Sequence, residues 1–475
     1  MKIKGLTLTQ IAADLDAKKY SAVELTQEYL QAIQADRYNC FITAAPERAL
    51  AQAVAADQRR SEGQETALTG VPLGIKDVLT VQGIRATAGS KILQNYSPPY
   101  TATAVARLES AGTITLGKTN CDEFAMGGSN ENSAYGNVLN PIDPTRVPGG
   151  SSGGSAAAVT AGLAPASLGT DTGGSVRQPA SFCGLIGLKP TYGRISRYGL
   201  MSMASSLDVV GIFSQTAADA ALLLQAMAGE DRNDATSSTK PVDHYFQSLT
   251  KPLPPLKIGL PKQFFIDGMD ERVRKMIEQT VESLKRRKIT FVEVDLPHAE
   301  YALAVYYIVM PSEVSSNLAR YDGLRYGFEQ SASNLLDQYR ATRSHGFGKE
   351  VKRRILVGTY ALSAGYYDAY YKQAQKVRTL IRQDYDRVFQ EVDMLLTPTS
   401  PTVAFKLGEK TSDPLSMYLA DIFTVSANIA GIPGLNVPIG RIDGLPVGMQ
   451  LLGPEWSEQK LLHLAHHYQQ WYPQE

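Results

Sequence analysis

Cysteine is scarce. Cys40, Cys121 and Cys183 are the only three in 475 residues. Three thiols without CxxC spacing cannot make a disulfide framework, and they fit a reducing compartment. Histidine is scarce as well, with six residues: His244, His298, His345, His463, His466 and His467. There is no HExxH, no paired CxxC and no Asp-rich calcium loop, so no metal site is expected. No P-loop nucleotide site is expected. No run of about 18 apolar residues exists, so no transmembrane helix is expected. The opening stretch, MKIKGLTLTQIAADL, is too polar after its lysines for a signal-peptide core. A cytoplasmic protein is the expectation. Excess charge is missing too, because 47 Lys and Arg meet 47 Asp and Glu. Such a chain has no global field to attract nucleic acid or an anionic membrane. If it serves a nucleic-acid reaction, another chain holds the nucleic acid.

What is present is ample apolar material, 43% of the chain, enough for a packed core. The length suits about three ordinary domains, or one large α/β unit with insertions. Thr7 with Gln10, and Ser21 with Glu24, have capping-box spacing and open two amphipathic helices. Residues 46–60 predict an Ala-rich third helix, and 102–111 another. Apolar runs at Val71–Ile75, Val81–Ile84 and Thr113–Leu116 predict strands. A polar, proline-dotted stretch, 231–255, reads as a surface connection. Further strands are predicted at Leu256–Leu260, Met394–Leu396, Leu435–Pro438 and Val447–Leu452, with helices over 270–287 and 457–470. The three histidines of that last helix read as solvated. Strands at both ends favour one interleaved α/β domain over 1–475, with a mainly helical insertion at about 300–390.

Between Gly127 and Gly199 the composition changes. Fifteen glycines fall in these 73 residues, about twice the chain average, among many serines and threonines. A flexible linker would lack apolar segments. Here the glycines punctuate Ala156–Ala161, Leu163–Leu168 and Leu185–Leu188, so the block reads as backbone packed closely around a site. Two motifs mislead. Ser237 and Lys240 match SxxK but sit in a polar loop with no helix to present them. Residues 149–153 match GxSxG, the nucleophile elbow, which needs a strand just before it. The preceding Asn140–Pro148 carries three prolines and is not a central strand.

A serine-rich site without a nearby histidine needs another base. Lysine remains. Its pKa of about 10.4 must drop by roughly three units to leave it neutral near pH 7, and burial can do that. Lys76 ends an apolar run beside glycines. On periodicity alone it reads equally as a strand-end lysine facing water.

Three stretches carry a resemblance: VPLGIKD at 71–77, GGSSGGS at 149–155 and GTDTGGSVRQP at 169–179. They resemble the amidase signature family, including the 24-residue spacing from Ser151 to Ser175, and the likeness runs from about residue 7 to 470. The resemblance implies an α/β amidase signature fold, a mixed central sheet covered by helices on both faces. It implies Ser175 as acyl-forming nucleophile, Ser151 as proton relay behind a cis Gly150–Ser151 peptide, and Lys76 as neutral base. Backbone N–H groups of Thr172, Gly173, Gly174 and Ser175 would hold the oxyanion, with Asp171 and Arg177 bracing the loop.

Residues 122–136, 316–327, 352–355 and 363–371 resemble one branch of that family, the glutaminase chains of glutamyl-tRNA(Gln) amidotransferases. That branch implies glutamine as substrate, with Arg354 on its α-carboxylate, Asp421 on its α-ammonium and Tyr306 lining the pocket. Read without the resemblance, Arg354 is a solvated helix residue and Asp421 an N-cap. The branch also implies a B subunit that binds tRNA and uses ATP with magnesium, and a small C subunit clasping the two. No cofactor is expected on this chain. Alternatives are a free-standing amidohydrolase of the same family and a catalytically dead scaffold.

Overall fold

The computed structural model describes residues 3–473. Its strands are β1 (Phe41–Ala44), β2 (Pro72–Lys76), β3 (Ile114–Thr119), β4 (Ala166–Asp171), β5 (Ile186–Lys189), β6 (Val209–Ser214), β7 (Lys257–Pro261), β8 (Thr290–Val294), β9 (Met394–Pro398), β10 (Gly434–Ile442) and β11 (Leu445–Leu452). They form one sheet in the order β1-β3-β2-β4-β6-β5-β10-β11-β9-β7-β8. The sheet is mixed. β3, β2 and β4 run parallel, as do β8, β7 and β9, while the middle strands pair antiparallel.

Strand alternation divides the core into two layers. Met394 and Leu396 of β9 join one apolar cluster, and Leu395 joins the other. Leu451 of β11 joins the first cluster and Leu452 the second. Successive side chains on a strand point to opposite faces, so both faces must be covered. The first face is covered by Leu8, Leu25 and Ala49 of the N-terminal helices and by Leu461 and Leu464 of the Glu458–Trp471 helix. The second is covered by Val305, Val309, Val351 and Ile381, all from the helices between β8 and β9. Each fully buried leucine or valine contributes roughly 1.5–3 kcal/mol by leaving water.

Local signals end where the sequence places them. Gln10 N–H donates to Thr7 Oγ1 at 3.2 Å and Thr7 N–H to Gln10 Oε1 at 3.0 Å, while Ser21 and Glu24 exchange the same pair at 3.1 and 2.8 Å. Pro46 occupies the first turn of the Pro46–Ser61 helix, where its missing N–H costs nothing. The segment Val81–Ile84 is not a strand. Ile84 N–H returns to the Val81 carbonyl, and Gly83 takes a φ of +77°, so an apolar run has become a turn. His463 is not solvated either; its Nε2 lies 2.8 Å from the Lys251 carbonyl, and the side chain is buried. Every helix and turn from Ala302 to Val388 lies between β8 and β9 with no strand among them. No helix of the described residues is long and apolar enough to cross a membrane.

Candidate active site

Neighbouring parallel strands end on one edge of a sheet, and ligand sites of α/β folds gather at such carboxyl ends. β2 ends at Lys76 and β4 at Asp171, with Ile75 paired to Leu168. Residues 151 and 152 lie just ahead of the Gly153–Ala161 helix, and Ser175 just ahead of the Arg177–Cys183 helix. Three remote segments therefore meet there.

Lys76 is fully buried. Its Nζ lies 2.8 Å from Ser151 Oγ, 2.7 Å from Ser152 Oγ and 2.8 Å from Thr170 Oγ1. The strand-end lysine facing water is thus excluded. The Gly150–Ser151 peptide is cis. Ser152 and Thr170 were not singled out by the motifs, and they settle the proton arrangement. A carbonyl only accepts, so Ser152 gives its hydroxyl proton to the Thr170 carbonyl at 3.1 Å. Its oxygen is then free to accept from Lys76. When the amine is neutral, it can donate to Ser152 and Thr170 and present its lone pair to the hydroxyl of Ser151.

Burial pushes the Lys76 ammonium down to about 8, and Cys121, Asp122, Asp171 and Asp208 resist the drop. The three-unit fall anticipated from chemistry is therefore not complete. The drop runs in the direction the expected neutral base requires, and the nearby carboxylates oppose it.

The loop after β4 is held by a buried ion pair. Arg177 Nε and Nη2 donate to Asp171 Oδ2 and Oδ1 at 3.0 and 2.9 Å. Arg177 also donates to the Thr424 carbonyl, Gln450 Oε1 and Asn428 Oδ1 at 2.9, 2.6 and 2.6 Å. Burial would raise the Asp171 carboxyl, but the Arg177 charge and its hydrogen bonds win and hold it at about 2. Arg177→Met leaves this carboxylate and three acceptors unpaired. It is expected to destabilise the fold by roughly 3–5 kcal/mol, read as a shift of the urea midpoint.

Asp171 Oδ1 also accepts from the Gly174 N–H at 2.9 Å, and Oδ2 from Val176 N–H at 3.2 Å. Gly174 is therefore corrected as an oxyanion donor, because its amide is committed to the brace. The candidate donors narrow to the amides of Thr172, Gly173 and Ser175. Gly174 has another use. Its φ is +135°, and a Cβ there would fall 2.1 Å from Thr424 Oγ1, so only glycine permits this close approach.

The remaining candidates lie beside this loop. Tyr306 is buried, and its ring presses on Gly173, where an added Cβ would lie 2.7 Å from Tyr306 Cζ. Arg354 is buried on the Lys349–Ala361 helix and is not a solvated residue. Its Nε donates to Glu350 Oε1 at 2.8 Å, and its guanidinium lies 5.7 Å from the ring centroids of both Tyr307 and Tyr418. Asp421 is not an N-cap. It ends a 3-10 turn, and its buried Oδ1 has no hydrogen-bond partner among the described residues. Burial raises its carboxyl to about 8, while Arg354 pulls it back. Its backbone carbonyl accepts from Thr424 Oγ1, which also reaches the Gly173 carbonyl at 2.7 Å. A cavity of about 150 Å³ is lined by Arg354, Tyr418, Met417, Ser129 and Lys410. A larger cleft of about 920 Å³ beside the Glu271–Lys285 helix contains none of the candidate residues.

The chain is 54% identical over 467 residues to the A subunit of glutamyl-tRNA(Gln) amidotransferase from Chloroflexus aggregans, covering 98% of this chain and 96% of that one. Among solved structures, the A subunit of glutamyl-tRNA(Gln) amidotransferase from Thermotoga maritima superposes with a TM-score of 0.83 at 38% identity, covering 100% of this chain and 96% of that one. The peptide amidase of Stenotrophomonas maltophilia superposes with a TM-score of 0.84 at 32% identity, covering 99% and 97%. The family profile described as Amidase matches residues 24–462, which include the Lys76 strand, both serine loops and the Arg354 helix. A match of that extent, with the fold shared from end to end, shows that the chain belongs to the amidase family.

Proposed function

We propose that this chain is the glutaminase component of a tRNA-dependent amidotransferase. The observation that carries the reading is the pairing of a buried guanidinium, Arg354, with a buried carboxylate that has an unpartnered oxygen, Asp421, beside the Ser175 loop. A plain aliphatic amide needs neither. A free α-amino acid with a side-chain amide uses both, a guanidinium for its α-carboxylate and a carboxylate for its α-ammonium. The amide of glutamine would then lie over Ser175, with Tyr306 against the oxyanion loop.

Ser175 Oγ attacks the side-chain amide carbon. Its proton passes to Ser151, whose own proton passes to neutral Lys76. The oxyanion is stabilised by the amides of Thr172, Gly173 and Ser175; each well-placed donor is worth about 3–4 kcal/mol in the transition state. Lys76 returns the proton through Ser151 to the leaving nitrogen, and ammonia departs. Water then cleaves the acyl-enzyme by the same relay, releasing glutamate. The ammonia serves a B subunit, which holds Glu-tRNA(Gln), activates its glutamyl group with ATP and magnesium, and forms Gln-tRNA(Gln). A small C subunit joins the two. The 54% identity to the A chain of such an amidotransferase supports this division of labour, as does the balanced charge of the chain. The likeness to a peptide amidase keeps the free-standing amidohydrolase as the competing reading.

Kinetics separate the two. Arg354→Ala is expected to lower kcat/KM for glutamine by about 2–5 kcal/mol, mostly through KM, because one partner of a buried charge pair is removed. Unchanged glutamine kinetics would favour the peptide-amidase reading. Asp421 adds a pH test. Its carboxyl, raised to about 8, must lose its proton to hold an ammonium. The KM for glutamine should therefore fall as pH rises through about 8, and Asp421→Asn should flatten that dependence while raising KM.

A further inference from the structure

Asp122 and Glu123 are consecutive buried carboxylates that reach opposite ways. The N–H of Asp122 donates to the Ser151 carbonyl at 3.1 Å. Its carboxylate accepts from the N–H groups of Asn130 and Asn132 at 2.9 and 3.0 Å. It also lies against Gly150, where a Cβ would fall 2.3 Å from Asp122 Oδ2. Asp122 thus holds the Ser151 loop.

Glu123 turns toward the other half of the site. Its Oε2 accepts from the Gly348 N–H at 2.8 Å, and its Oε1 accepts from Ser90 Oγ. Ser90 Oγ also lies 3.2 Å from the Gly346 carbonyl, so both groups grip the same turn. Gly348 is the N-cap of the Lys349–Ala361 helix and supplies no side-chain cap. A helix N-terminus leaves N–H groups unsatisfied and favours negative charge, so Glu123 serves as its cap from 225 residues away. This helix carries Arg354 and Glu350. Glu350 in turn accepts from Arg354 Nε and, at 3.2 Å, from the hydroxyl of Tyr418, three residues before Asp421. Glycine at 348 is required by the grip, since a Cβ would lie 2.4 Å from Glu123 Oε2.

We propose that the Asp122–Glu123 dipeptide sets the distance between the catalytic hydroxyls and the recognition helix, with Glu123 as the positioning residue for glutamine binding. The proposal rests on the reading that Arg354 receives the α-carboxylate. Glu123 touches no substrate in this scheme; it acts through Gly348 and the helix. Its loss would let the Arg354 helix shift against Ser175, and misplacement of about 1 Å can cost up to about a hundredfold.

The test uses the complex assembled with its partner chains. It measures kcat and KM for glutamine and the inhibition constant of L-glutamate, which reads recognition apart from chemistry. Glu123→Ala should raise both KM and the glutamate inhibition constant together, by roughly tenfold to a hundredfold, with kcat nearly unchanged. Glu123→Gln keeps an acceptor for the Gly348 N–H and should shift both constants less, in the same direction; it carries the test if the alanine variant does not fold. A fall in kcat with the glutamate constant unmoved would overturn the proposal, as would no change in any constant. Arg354→Ala is the control. If it raises the glutamate constant and the Glu123 variants do not, only the positioning role fails. If Arg354→Ala leaves that constant unmoved, the glutamine-pocket reading fails and the role of Glu123 falls with it.

Discussion

Ser175→Ala is expected to abolish glutamine hydrolysis while leaving the assembled complex able to amidate Glu-tRNA(Gln) from added ammonium salts. The hydroxyl of Ser175 would be the only atom that bonds to the substrate carbon, so its loss removes the acyl-enzyme route. Nucleophile removal in serine hydrolases costs on the order of 10⁶ in kcat, far more than any positioning change. Amidation with free ammonia should persist because ammonia release and ammonia use would occupy different chains. The small size of the change supports this split. Ser175 is buried in a loop braced by Asp171 and Arg177, and neither of those residues touches the hydroxyl being removed. The measurement is glutamate release beside tRNA amidation, with glutamine or ammonium as nitrogen donor. Glutamate release near the wild-type rate would remove Ser175 from its role. Loss of ammonium-dependent amidation as well would show that the variant has damaged the assembly.

Lys76→Arg is expected to be almost as inactive as Lys76→Ala. In the proposed relay, only a neutral amine could accept the proton leaving Ser175 through Ser151. A guanidinium stays protonated under all working conditions, so it keeps the positive charge and loses the base. An electrostatic role for Lys76 would be rescued by arginine, and a proton-relay role would not. The pH profile makes the same distinction. Burial lowers the Lys76 pKa to about 8, and in the proposed relay the active form is the deprotonated one. The kcat of the wild-type glutaminase should therefore rise with pH through about 8 and be lost below it. The acid limb belongs in kcat, whereas the Asp421 limb belongs in KM, so the two titrations are separable. Stability carries a third sign. A lysine whose folded pKa lies below its unfolded value of about 10.4 makes folding more favourable as pH rises from about 8 to 10.4. Exchange of Asp122 or Asp208 for the amide should lower the Lys76 pKa and move the acid limb down, because each carboxylate opposes the drop. Near-normal glutaminase activity in Lys76→Arg would sink the relay.

The residues proposed for the chemistry were legible in the sequence because each lies in a short contiguous motif. Lys76 closes an apolar strand, and Ser151 and Ser175 lie in two glycine-rich motifs whose residue types and spacing survive without coordinates. Helix starts at Thr7 and Ser21 were legible for the same reason, since a capping box is complete within four residues. The strand at Met394–Leu396 and the last helix were also local readings. Other features depend on groups that only folding brings together. Val81–Ile84 reads as a strand, yet Gly83 turns it. Thr170 meets Lys76 because β2 and β4 are parallel neighbours, a pairing across 94 residues that no local pattern encodes. Ser152 becomes a defined acceptor only when the Thr170 carbonyl takes its proton. The amide of Gly174 looked free in the motif and is engaged by Asp171 in the fold. Arg354 reads as exposed within a basic helix, and the stacked Tyr307 and Tyr418 bury it. Sequence by itself determined which reactive groups exist and which elements carry them, because propensity, capping and motif are short-range. Tertiary structure decided their protonation, their orientation and their partners, because burial and hydrogen bonding are set by residues distant along the chain.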